Sequence, residues 1–317
     1  MTIQADQLIL APMEGVVDAL MRDLLTSINQ FDLCITEFVR VVDSLVPKHV
    51  FYKTCPELHQ KGYTRSGTPI RVQLLGQEPD WLAENAIRAM ELGSHGIDLN
   101  FGCPAKAVNK SRGGAVLLKS PEQIHRIIAR VKQAVGEQVQ VSAKIRLGFE
   151  DTSLFKEIIS AVTSARTDLL TVHARTKLQG YKPPAYWHFI GEARESHNID
   201  IIANGEIWSQ ADAIECMKQA KTNKLMLGRG LLARPNLANV IKLNEQPMTW
   251  PQLCDLLHRY SDLELQGEKS FYYSSRMKQW LRYLKLNYPQ AQAFFEQIKT
   301  MKCKTQITQV LGRIRDY

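Results

Sequence analysis

The stretch IRVQLLGQEPDWLAENAIRAMELGSHGIDLN, residues 70–100, reads as strand, helix and strand. Ile70 to Leu75 is a short β-rich run, Pro79 to Leu92 an amphipathic helical pattern, and Gly96 to Asn100 a second short run. A strand returned to a strand by a helix implies parallel pairing. The unit repeats on both sides. Leu8 to Ala11 and Cys34 to Val39 precede it, and Val139 to Leu147, Asp168 to Arg175, Asp200 to Ile207 and Lys224 to Gly228 follow, making eight runs. Helical patterns at Asp18 to Asn29, Pro121 to Val135 and Ser209 to Ala220 fall between them, with Asp18, Ser120 and Ser209 placed as N-caps. Eight such units in roughly 240 residues predict an α/β chain with a TIM (β/α)8 barrel over residues 1–244. A doubly wound sheet of eight strands is the less economical alternative.

The pattern stops near Asn244. Asn244 to Pro251 contains two prolines and reads as a linker. Beyond it Leu253 to Leu265, Tyr273 to Tyr288, Gln290 to Lys302 and Ile307 to Ile314 read as helices, so residues 245–317 form a small all-helical domain in this reading.

The 317 residues are 44% hydrophobic and 23% charged, which excludes a disordered chain and a disulfide scaffold. No apolar run approaches the roughly 20 residues that cross a bilayer, and the start lacks a signal-peptide pattern, so a cytoplasmic protein without a membrane role is expected. Six scattered cysteines form no C-x-x-C pair, so no metal is expected. The net charge of +8 is uneven: residues 269–315 hold ten basic side chains and one acidic, Lys269 among the basic ones. The rest of the chain sums to about −1. Aromatic residues from Phe271 to Phe295 are interleaved with these cations, which suits phosphates and stacked bases. A solvated helical face over an aromatic core would look the same.

Barrel active sites stand at the C-terminal ends of the strands. Those ends carry Pro12-Met13-Glu14, then Glu37 and Arg40, Gln73, Asn100 to Pro104, Lys144 and Arg146, His173 and Arg175, Asn204-Gly205-Glu206, and Gly228-Arg229-Gly230. Strand interiors read as apolar, so one functional rim is the economical explanation, although any single polar residue could be a satisfied core group. The glycines of the last two ends suit a phosphate held by backbone N–H groups. Gly228 to Ala233 also matches a dinucleotide fingerprint, but it stands in the eighth unit instead of opening the fold. Cys103 lies between Gly102 and Pro104 on a loop above the barrel. It could donate a proton as a thiol or attack as a thiolate.

Seven ordered motifs resemble the tRNA-dihydrouridine synthases. They are Ala11 to Gly15, Val72-Gln73-Leu74, Leu99 to Pro104, Lys144-Ile145-Arg146, Val172 to Thr176, Ala203 to Ile207 and Leu227 to Gly230. Cys34 to Asp43 and Arg276 to Leu281 look most like the C subfamily. The resemblance implies reduction of uridine to 5,6-dihydrouridine at position 16 of the tRNA D-loop, with FMN in the barrel mouth and NADPH as reductant. The same reaction at another D-loop position is one alternative; an FMN barrel acting on a small molecule, or a tRNA-binding protein without catalysis, are others. By the same resemblance Cys103 is the general acid. Pro12, Met13 and Glu14 would line the flavin, Gln73 and Lys144 would bond its edge, and His173 and Arg175 would complete the shell. Asn204, Gly205, Glu206, Gly228 and Arg229 would hold the ribityl phosphate. Arg40, Asn100, Arg146 and Tyr181 would surround the flipped nucleotide, and Arg276, Lys278, Tyr283 and Lys299 would grip tRNA from the helical domain of a monomer. Lys110 and Arg112 depart from the small residues usual in the loop after the cysteine, which puts loop flexibility in question.

Overall fold

The computed structural model describes residues 4–267 and 270–316. Lys269 therefore lies outside the described residues. Eight strands close into one parallel barrel in chain order: β1 Gln7–Leu10, β2 Leu33–Arg40, β3 Ile70–Leu75, β4 Ile97–Asn100, β5 Val141–Arg146, β6 Leu169–His173, β7 Ile201–Asn204 and β8 Lys224–Leu227. β1 closes the ring on β8, with Leu10 opposite Leu227.

Local chemistry explains the helices around it. Pro121–Val135 turns Ile124, Ile127, Ile128 and Val131 inward, the spacing of one helical face. Asp18 accepts from the Met21 amide at 3.2 Å and Ser209 from the Asp212 amide at 3.1 Å, so both cap as expected. Ser120 makes no side-chain cap; Pro121 opens that helix instead, where its missing N–H costs nothing. Helices at Lys48–Thr54, Phe155–Ser164, His188–Ser196 and Leu237–Leu243 complete the expected alternation of strand and helix.

The barrel interior is divided. Ile9, Ala11, Leu33, Ile35, Leu169, Ile202 and Met226 form a buried cluster inside the ring, separate from the apolar layer under the helices. Across from them stand buried Gln73 on β3, Asp98 on β4 and Ser142 on β5. The expectation of apolar strand interiors therefore holds for only one side of the ring.

Beyond the barrel, the helix Trp250–Gln266 starts inside the expected linker. Thr249 and Gln252 form a capping box, and Pro251 sits in the first turn, where a helix tolerates it. Helices Tyr273–Leu284, Pro289–Ile298 and Lys304–Leu311 follow, each ending short of its expected limit. This helical region is joined to the barrel by directed contacts. The buried Trp280 indole donates to the Leu232 carbonyl at 3.1 Å, and Asn287 Nδ2 to the Ala233 carbonyl at 3.1 Å. Gln279 Nε2 donates to the Gly15 carbonyl at 3.0 Å. Among the described residues no helix is long and apolar enough to cross a membrane.

Candidate active site

The strand ends open on a cavity of about 610 Å³. Sixteen of the expected site residues line it: Pro12, Met13, Glu14, Gln73, Asn100, Cys103, Lys144, Arg146, His173, Tyr181, Asn204, Gly205, Glu206, Gly228, Arg229 and Tyr283. The parallel register brings them together, because Asn100 pairs with Lys144, Arg146 with His173, and His173 with Asn204 around the ring.

Lys144 rises from the floor and donates to Asn204 Oδ1 at 3.1 Å, while Asn204 Nδ2 is fixed on the Met226 carbonyl at 2.8 Å. Burial, then the nearby Arg146, pushes the Lys144 ammonium down to about 8. His173 is held well below the usual imidazole range, first by burial and then by Arg146, Lys144, Arg175 and Arg229, so its ring is neutral at pH 7.

At the β7 and β8 ends the backbone comes close. Gly205 has φ +116°, and a Cβ there would stand 2.8 Å from His173 Cδ2, so only glycine fits. Glu206 follows with φ +55° and accepts from Arg229 Nη2 at 2.6 Å and Trp208 Nε1 at 3.2 Å. The Arg175 guanidinium lies 2.8 Å from the same carboxylate without being aligned to donate to it, and its two terminal nitrogens lack hydrogen-bond partners. Glu206 thus orients cations; an anion would meet Arg229 and backbone amides here, not this carboxylate. The Arg229 guanidinium lies over the rings of Tyr181 at 4.8 Å and Trp208 at 5.2 Å.

Cys103 faces this array from the loop after β4. Asn100 Oδ1 accepts from the Gly102 and Cys103 amides, both at 2.9 Å, and Asn109 Nδ2 donates to the Cys103 carbonyl at 2.9 Å. Arg146 braces the loop through the Gly102 carbonyl at 2.8 Å and the next loop through Thr176 and Gly180 carbonyls. Gly114 packs behind the cysteine with φ +67°, where a Cβ would press within 3.1 Å of Cys103 Cβ. Burial pushes the Cys103 thiol up, so at neutral pH it carries its proton. That favours proton donation over attack as a thiolate.

Arg175 is fully buried beside Glu206 and does not line the cavity, and four further expected residues stand outside it. Arg40 is exposed and donates to Ser111 Oγ at 2.7 Å, tying β2 to the segment that follows Cys103. Lys278 lines a separate cleft of about 530 Å³ with Gly15, Gln279 and Arg282, and donates to the Met301 carbonyl. Lys299 pairs with Glu296 on the surface. Arg276 borders the same cleft, but its guanidinium is locked between Glu264 and Asp18, the latter at 2.8 Å, with the arginine side chain 11% exposed. Its geometry is that of a bolt between helical region and barrel.

Trp208 and Asp98 were missed by sequence reasoning. Trp208 follows the β7 glycine turn, where an aromatic residue at a barrel rim was a usable signal. Asp98 is two residues before Asn100, so strand alternation puts both on the inner face.

A family model described as Dihydrouridine synthase matches residues 9–314. A protein of Shewanella oneidensis named tRNA-dihydrouridine(16) synthase is 55% identical over 311 residues, covering 98% of this chain and 99% of its own. A protein of the same name from Vibrio cholerae is 53% identical over 311 residues, covering 98% and 96%. One from Haemophilus influenzae is 52% identical over 300 residues, covering 94% and 96%. A solved structure of morphinone reductase in complex with tetrahydroNAD superposes with a TM-score of 0.51 at 11% identity, over 77% of this chain and 88% of that one. At that identity the likeness shows the barrel fold alone.

Proposed function

The chain belongs to the dihydrouridine synthase family, and from that membership we propose that it reduces uridine to 5,6-dihydrouridine at position 16 of the tRNA D-loop, with FMN as resident cofactor and NADPH as reductant. The name carried by relatives aligned over nearly their full length supports the position. The observation that carries the chemistry is that a protonated thiol, Cys103, and a buried ammonium, Lys144, open on one cavity.

The residues present fit FMN. The cavity floor has an apolar side at Ala11, Met13 and Met226 and a polar side at Gln73 and Lys144, as a flat ring with hydrogen-bonding edges requires. Arg229 and the close backbone at Gly205 and Gly228 suit its phosphate. Bound FMN would supply hydride to C6 of the uracil ring. Lys144 would stabilise the negative charge of the reduced cofactor, and Gln73 would fix the edge of its ring. Cys103 would give its proton to C5, where hydride addition leaves the electron pair. Neutral His173 and the Arg146–Tyr181 pair, the guanidinium 5.3 Å from the ring centroid, would wall the site against water.

The target base must leave its stack to enter the cavity, and a loop uridine leaves at least cost. Residues 245–317 would grip the tRNA, with Lys278 and Arg282 of the tail cleft on phosphates and Tyr283 reaching from the helical region into the mouth. A tRNA substrate places the reaction in the cytoplasm.

The test is mass-spectrometric mapping of dihydrouridine in tRNA from a strain lacking all such synthases and carrying this chain alone. Dihydrouridine at position 16 alone is expected. Appearance elsewhere would overturn the position, and none, with a yellow expressed protein, would overturn the substrate.

A further inference from the structure

We propose that Asp98, at the bottom of the barrel's polar side, is a positioning residue for Cys103, acting through the side-chain amides of Gln73 and Asn100. The inference rests on the reading of Cys103 as the proton donor, and it concerns a residue that lines neither the cavity nor the tail cleft.

Four side chains on three adjacent strands and two backbone amides of the loop after β4 form a continuous chain of hydrogen bonds. Ser142 Oγ donates to Asp98 Oδ1 at 2.6 Å. Gln73 Nε2 donates to Asp98 Oδ2 at 2.6 Å, and Asn100 Nδ2 donates to Gln73 Oε1 at 2.6 Å. Asn100 Oδ1 then receives the amides of Gly102 and Cys103.

The direction of this chain is forced from its loop end. Two backbone N–H groups point at Asn100, so the atom they meet must be its oxygen, and its NH2 must face Gln73. Gln73 must answer with its oxygen, which turns its own NH2 toward residue 98. That position must therefore accept from Gln73, and the Asp98 carboxylate does so on one oxygen while the other takes the Ser142 hydroxyl. Asp98 is buried and lines no cavity, so no water replaces its bond to Gln73 cheaply. The carboxylate sets the orientation of Gln73, whose amide sets Asn100, whose oxygen sets the turn that carries the thiol.

A wiring role predicts that polarity matters and can be reversed. Asn100→Asp keeps the acceptor for the loop amides but sets an oxygen against Gln73 Oε1. Adding Asp98→Asn lets Gln73 turn its amide end for end: residue 98 then donates to it, and residue 100 accepts from it. Adding Asp98→Ala removes the same charge but supplies no donor.

The experiment is the rate of iodoacetamide alkylation of Cys103 at about pH 8, mapped by peptide mass spectrometry on the full chain as purified. A Cys303→Ala background removes the other cysteine that is not buried. Asn100→Asp is expected to change the rate by about tenfold, a change typical of losing a supporting hydrogen bond. Asn100→Asp with Asp98→Asn should return to within about twofold of the starting rate, and Asn100→Asp with Asp98→Ala should not. Rescue by both second substitutions would mean that charge alone matters, and an unchanged rate in Asn100→Asp would mean that the chain does not set the thiol; either overturns the proposal. Should Asn100→Asp fail to fold, Asp98→Ala alone carries the test, since freeing Gln73 should change the rate as much while Asp98→Asn, still able to accept from Gln73, should not. The readout needs neither tRNA nor turnover. Its failure would leave the dihydrouridine reading standing, and failure to find dihydrouridine would leave the thiol result intact.

Discussion

The barrel mouth and the helical region are both rich in cations, yet the cations behave differently. At the mouth Lys144 bonds to a neutral amide, Arg146 to three carbonyls, and Arg229 shares Glu206 while lining the cavity. In the helical region Arg276 is spent on Asp18 and Glu264, Lys299 on Glu296, and Arg315 on Asp255. Clustered charge in a sequence thus counts cations without saying which are free to meet a ligand. At the mouth, burial keeps charge directed at the cavity. In the tail, part of the charge holds the molecule together, while Lys278 and Arg282 line the side cleft.

The largest effect should come from the mouth. Cys103→Ala is expected to lower dihydrouridine formation by about 10²-fold or more, the scale of a lost general acid, while the flavin spectrum and tRNA affinity persist. Full activity would remove the thiol from the reaction. Next in size is the tail bolt: Arg276→Ala takes the shared cation from two largely buried carboxylates and should cost about 3–5 kcal/mol of stability in denaturant titration. A change within error would mean that the helical region docks without it.

The Lys144 ammonium gives a smaller, pH-dependent effect. Its proton is lost as pH rises through about 8, so FMN affinity of the flavin-free chain should fall several-fold above that pH. Lys144→Arg should flatten the fall, because a guanidinium keeps its charge, and an identical profile in both chains would assign it to another group. The same group also acts on stability. Its native value lies below the unfolded one, so unfolding takes up a proton between the two, and this contribution rises with pH from about 8 toward the ordinary lysine range. The smallest effect is in the cleft. Lys278→Glu with Arg282→Glu should weaken tRNA binding and flatten its logarithmic salt dependence by about 0.7–0.9 per lost phosphate contact. An unchanged slope would move the RNA grip elsewhere.

The barrel was legible because its signal is local. Eight short β-rich runs separated by helical patterns need no knowledge of distant contacts, and the rim residues follow from the strand ends. What escaped depended on partners remote in sequence. Arg276 looked like a free cation because Asp18, which holds it, is 258 residues away. Glu206 reads with the phosphate glycines; its carboxylate accepts from Arg229 and stands beside the Arg175 guanidinium, both brought from remote positions. Asp98 drew no attention in the sequence because its partners, Gln73 and Ser142, come from β3 and β5. The capped helix at Trp250 was hidden by its own proline, which stops a helix in the interior and starts one at the first turn.

The contact between Trp280 and the Leu232 carbonyl gives the molecule a lever. Leu232 belongs to the short helix Arg229–Ala233, which continues directly from Gly228 at the end of β8. The helix that carries Lys278 and Arg282 is therefore seated on the segment that follows the proposed phosphate turn. By thermodynamic reciprocity, if seating that helix firmly tightens the turn, filling the turn must firm the seat by the same factor. Cofactor retention and substrate grip would then be two readings of one mechanical joint, and clipping the tail should loosen the flavin.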